Sequence, residues 1–107
     1  MKLRIQGNSL RFRLSDEEVA LLAQTGRLEE RIEFGSTDDD RLTYALEIDD
    51  QAQEMTARYE GGRIAVKLPP SAREWARSNE ISLKSEQTID PSSGKRLRLL
   101  VEKDLAG

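Results

Sequence analysis

Two stretches of this chain, GNSLRFRLS from Gly7 and GGRIAVKLP from Gly61, have the same shape, and each lies in a hairpin pattern that leads into a helix start. From Lys2 to Leu14 the apolar residues Leu3, Ile5, Leu10, Phe12 and Leu14 recur with the period of two that a half-buried strand requires, interrupted by Gly7-Asn8. From Met55 to Leu68 the alternation runs through Ala57, Tyr59, Ile64, Val66 and Leu68 around Gly61-Gly62. At an offset of 54 residues, Met1, Arg4, Gly7 and Leu14 fall on Met55, Arg58, Gly61 and Leu68, and the later hairpins match at an offset of 55. A fold built from this chain has to place the same supersecondary unit twice.

The element order repeats with the phrase. Ser15 to Glu18 reads as a capping box, with Val19, Leu22 and Ala23 at helical spacing and Gly26 as the stop. Leu28, Ile32 and Phe34 lead to a turn at Gly35–Asp40, and Leu42, Tyr44, Leu46 and Ile48 lead back. In the second half, Ser71 to Glu74 reads as another capping box for a short helix carrying Ala72, Trp75 and Ala76 and ending near Asn79. Ile81 and Leu83, then Leu97, Leu99 and Val101, form the last hairpin around Pro91–Gly94. Each half is strand–strand–helix–strand–strand. The expected fold is α+β and mainly antiparallel β: a duplicated ββαββ unit forming a pseudo-twofold, barrel-like sheet with two short helices. At 107 residues the chain suits one domain, with halves of about 1–50 and 55–104.

Composition limits the chemistry. The chain has no cysteine and no histidine, which removes the thiolate nucleophile, the usual general base at neutral pH and the two commonest zinc ligands. No catalytic constellation, metal set or cofactor motif stands out, so the expectation is a non-enzymatic protein. The longest apolar run, Val19 to Ala23, is five residues, against the roughly 20 of a membrane helix, and a soluble, cytoplasmic protein is expected. The triplet Asp38-Asp39-Asp40 lacks the alternating spacing of a calcium loop and reads as a solvated turn. Trp75 reads as a core anchor whose indole N–H meets a carbonyl.

Charge is unevenly spread around a net −3. Residues 1–14 hold Lys2, Arg4, Arg11 and Arg13 and no acid, whereas residues 15–54 hold thirteen acids against Arg27, Arg31 and Arg41. A two-residue Gly7-Asn8 turn pairs Arg4 with Arg11 and Lys2 with Arg13 on the face opposite the leucines. Like charges directly across a sheet are destabilising, so an anion is expected nearby. It is either nucleic-acid phosphate or the carboxylates of Glu29, Glu30 and Glu33. In the second hairpin only Arg58 and Lys67 remain, beside a Glu60–Arg63 pair. That asymmetry favours internal pairing of the first face.

The run MKLRIQGNSLRFRLSDEEVALL resembles the opening of swapped-hairpin DNA-binding domains of the AbrB/MazE type. Gly7, Asn8 and Ser9 match the turn of that pattern, and Leu10, Arg13 and Leu14 its second strand. The resemblance implies DNA binding as a dimer or fused pseudo-dimer, in an antitoxin or transcription regulator. The chain departs from the pattern at Ser15, where a proline is usual, and its second copy lacks the Asn-Ser pair. Nearly the whole chain is similar to small bacterial proteins of unknown function, which open much as MKLRIQGNSLRFRL and close much as LLVEKDL.

The leading functional reading is a protein-interaction or structural module, as a monomer or weak dimer. The alternative is a DNA-binding regulator or antitoxin using Lys2, Arg4, Arg11, Arg13, Arg58 and Lys67. A third is a small-ligand site between the halves.

Overall fold

The computed structural model describes residues 1–105. Its elements follow in the order β1 (Lys2–Ile5), β2 (Ser9–Leu14), α1 (Asp16–Thr25), β3 (Arg27–Glu33), β4 (Arg41–Ile48), β5 (Thr56–Glu60), β6 (Arg63–Leu68), α2 (Ala72–Arg77), β7 (Ser82–Asp90) and β8 (Lys95–Lys103). The strands form two four-stranded sheets, β1-β2-β8-β7 and β3-β4-β6-β5. The first is called here the terminal sheet and the second the central sheet. The expected barrel-like sheet is therefore not formed. Each hairpin is antiparallel within itself, but the hairpins join through parallel pairs, β2 with β8 and β4 with β6. The first hairpin thus neighbours the last one rather than the third strand.

The local signals explain the hairpins and the first helix. Gly7 supplies a positive φ of 55°, and the strands pair Ile5 with Leu10, Leu3 with Phe12, Arg4 with Arg11 and Lys2 with Arg13, as the alternation requires. The Gly7-Asn8-Ser9 turn is secured from within: the Ser9 hydroxyl donates to the Gln6 carbonyl, and the Asn8 amide donates to the Arg96 carbonyl at 2.6 Å, tying the turn to the start of β8. Ser15 caps α1 with both arms of the box in place, its hydroxyl accepting from the Glu18 amide while the Glu18 carboxylate accepts from the Ser15 amide. Gly26 ends α1 with φ 77°. The expected second capping box is absent. Ser71 is itself helical in φ and ψ and makes no side-chain cap bond, because the chain enters α2 directly from the Pro69-Pro70 turn. That helix ends at Arg77 with Ser78 as its cap.

One apolar cluster holds the two sheets together. Phe12, Leu14, Leu99 and Val101 come from the terminal sheet, and Leu28, Leu46, Ile64, Val66 and Leu68 from the central one. Val19 and Leu22 of α1 and Ala72 and Trp75 of α2 join them, with the helices packed on each other. Burying these side chains is the main stabilising term for a chain this rich in charge. Trp75 is buried, as expected, but its indole N–H has no partner among the described residues, where a carbonyl was expected. The carbonyl of Trp75 instead accepts from the Lys103 ammonium, which also lies 4.9 Å from the ring centroid. Where the sheets meet, the Gln87 amide bonds both backbone groups of Ala57, covering the edge of β5. No described helix is long and apolar enough to cross a membrane.

Candidate functional site

Alternation along the terminal sheet turns one set of residues inward and the other outward. Because Phe12, Leu14, Leu99 and Val101 are buried, the side chains between them point to the outer face. The strand registers then define rows across that face. One row is Lys2, Arg13, Glu102 and Ser82; the next is Arg4, Arg11, Leu100 and Lys84; a third is Ser9, Arg98 and Glu86; and Arg96 lies beyond, opposite Thr88. These rows hold seven cations and two carboxylates. Lys84, Arg96 and Arg98, which join the four N-terminal cations, escaped the sequence reading. Their alternation with Leu83, Leu97 and Leu99 marked them as outward-facing, but nothing local placed them beside β2.

Part of this charge is neutralised from within the sheet. Glu102 accepts from Arg11 Nε at 2.8 Å and from Arg13 Nε at 3.0 Å. Hydrogen bonding to Arg11, against an upward push from burial and then reinforced by Arg13, holds the Glu102 carboxyl below the usual carboxylate range. Asp104 accepts from Lys2 at 3.3 Å, and Glu86 from Arg96 at 2.7 Å. Arg4, Lys84 and Arg98 form no ion pair with any described residue. All three line one trough of about 510 Å³, together with Arg11, Leu100 and Glu86. The uncompensated charge of the face is concentrated where the surface is hollow.

Glu29, Glu30 and Glu33 do not neutralise this face, because β3 belongs to the central sheet. Glu29 binds Arg27 at 2.7 Å and also contacts Arg63, whose other arm reaches Glu47 at 2.7 Å. Those bonds, from Arg63 first and Arg27 second, lower the Glu29 pKa. Glu33 lies between Arg31 and Arg41, and Arg41 also pairs with Asp38 at 3.0 Å. Glu30 accepts from the Tyr44 hydroxyl and, at 3.1 Å, from the Met1 ammonium, which also contacts Glu18. Arg58 and Lys67, the remaining sequence candidates, lie on the central sheet, paired with Glu60 at 3.0 Å and Asp49 at 3.4 Å. The anticipated Glu60–Arg63 pair gives way to these contacts. Among the described residues, every cation of the central sheet has a carboxylate partner, whereas the terminal sheet leaves Arg4, Lys84 and Arg98 without one.

Asp38, Asp39 and Asp40 form a 3-10 turn in which Asp40 accepts from the Thr37 hydroxyl at 2.8 Å, and no group of acids among the described residues is arranged to hold a metal ion. No curated protein matches the chain, and no solved structure does. A family described as "Family of unknown function (DUF7009)" matches residues 1–107, and the chain belongs to that family.

Proposed function

We propose that this protein is a non-catalytic binding module whose working surface is the outer face of the terminal sheet, and that the partner it receives there is anionic. The observation that carries this reading is the contrast between the two sheets. They have the same construction, yet the central one pairs its cations into a network while the terminal one leaves Arg4, Lys84 and Arg98 free around a trough. Holding like charges together in a chain of net −3 costs stability, and a bound anion would offset that cost. That Arg58 and Lys67 preserve the patch poorly on the second hairpin does not count against such a site, because the partner of the first hairpin is β7-β8.

We also infer that the two halves are copies of one unit related by a pseudo-twofold. Exchanging β1 with β5, β2 with β6, β3 with β7 and β4 with β8 converts one sheet order into the other. The register supports the same exchange: Leu10 opposite Leu99 corresponds to Ile64 opposite Tyr44, and Phe12 opposite Val101 to Val66 opposite Leu46, under the offsets of 54 and 55 found in the sequence. On this reading the trough straddles the β2–β8 junction between the halves.

The test is calorimetric titration with inorganic triphosphate at low ionic strength. Binding is expected to weaken with added salt. Replacing Arg4 and Arg98 together with Gln should weaken it by roughly tenfold or more, the scale of lost charge-assisted hydrogen bonds. Replacing Arg27 and Arg31 on the central sheet should leave it unchanged. No heat of binding, or equal losses from both double variants, would overturn the proposal.

A further inference from the structure

Resting on that reading, the geometry points to the chemical class of the ligand: a compact polyanion of about nucleotide size, with an apolar or planar body seated on Leu100 and its charged groups on the surrounding cations. Three observations converge on this.

The floor comes first. Leu100 is the one apolar side chain in the outward rows of Arg4, Arg11, Lys84 and Arg98, and it is only half-buried. Neighbouring strands lie about 4.8 Å apart, so Arg11 on β2 and Lys84 on β7 flank Leu100 at about that backbone spacing on either side. Arg98, two residues along β8, is about 7 Å away. A cationic rim around an apolar centre suits a ligand whose charges surround or extend from an uncharged body. Guanidinium planes on the rim can also stack on such a body, which an ammonium cannot do.

The ends of the trough come second. Along the strands a carboxylate stands in each neighbouring row, Glu102 in the row below Leu100 and Glu86 in the row above, where it lies opposite the free Arg98. An extended polyanion crossing the face would leave the free cations and run along these acids, whereas a compact one stays among the cations. Glu102 already engages Arg11 and Arg13, and Glu86 already engages Arg96.

Size comes third. A volume of about 510 Å³ lies within the roughly 300–1,000 Å³ typical of small-molecule sites. The outward rows contain no aromatic side chain on which successive bases could stack, the device by which single strands are usually held.

Parallel titrations of the full chain with ATP, inorganic triphosphate and a twelve-base-pair DNA duplex test the inference. ATP should bind roughly tenfold more tightly than triphosphate, because only ATP brings a body to the floor. Leu100→Ser should remove that advantage while leaving the triphosphate affinity within about twofold, and the retained triphosphate binding shows that the variant folds. Equal affinities for ATP and triphosphate would overturn the amphipathic ligand and leave the anion-binding face standing. Tighter binding of the duplex than of ATP would overturn the compact ligand in favour of a nucleic-acid backbone. Failure of all three probes would remove the face itself.

Discussion

Glu102 offers a perturbation whose two consequences have opposite signs. Its side chain is 12% exposed and shared between the guanidiniums of Arg11 and Arg13, which are 37% and 41% exposed. Glu102→Gln keeps the shape and removes the charge. Surface ion pairs each contribute about 0.2–1 kcal/mol, and the half-exposed arginines keep these two in that range. Adding the repulsion left between Arg11 and Arg13, the variant should lose about 1–2 kcal/mol, or about 4–12 °C in Tm for a chain this size. Anion binding should move the other way. A ligand charge over the Leu100 row lies about 8 Å from the Glu102 carboxylate, where a like charge costs about 0.5 kcal/mol in a water-like dielectric. A tri- or tetra-anion would therefore gain about 1–2 kcal/mol, binding roughly fivefold to thirtyfold more tightly at low ionic strength, with much of the gain lost near 0.15 M salt. Differential scanning calorimetry and titration with triphosphate measure the two effects on one sample. Lower stability with unchanged or weaker binding would refute the reasoning, since it would mean that Glu102 is not the counter-charge to the ligand.

The same residue predicts a pH dependence: because its folded pKa is depressed, its stabilisation is fully present above the unfolded value of about 4.3 and is lost as pH falls through the lower folded one. Acid denaturation of Glu102→Gln should therefore show a smaller loss of stability below about pH 4.3 than the parent chain. Trp75→Ala should cost about 3–5 kcal/mol in urea unfolding, while Trp75→Phe, which also removes the unpartnered buried N–H, should cost less than about half as much; equal losses would show that the indole N–H is satisfied. Ser15→Ala should cost about 1 kcal/mol and Ser71→Ala only a few tenths by the same measurement, because only the first serine caps its helix. Fragments 1–53 and 54–107, made separately, should lack stable β structure by circular dichroism and regain it on mixing, since each sheet takes one hairpin from each fragment; a stable fold in either fragment alone would contradict this.

What the sequence determined by itself is the content of each hairpin. The period-two alternation, the glycine turns and the Ser15 box act over a few residues, and the pairings of Arg4 with Arg11 and Tyr59 with Ile64 follow from turn length alone. The second cap was misread for a reason equally local, since Ser71 has the right residues after it but the wrong backbone leading into it. Which hairpins become neighbours was decided only in the tertiary structure. The acid that neutralises Arg11 stands 91 residues away, and the nearer Glu29, Glu30 and Glu33 were equally plausible in the sequence because each strand presents the same alternation to any partner. The parallel seam between β2 and β8 depends on burying one shared apolar cluster, a property of the whole chain. That seam brings Lys84 and Arg98 beside Arg4 and Arg11 and so creates the trough. Cations distributed over both ends of the sequence become one site only because hydrophobic burial, which is blind to the outward face, sets the strand order.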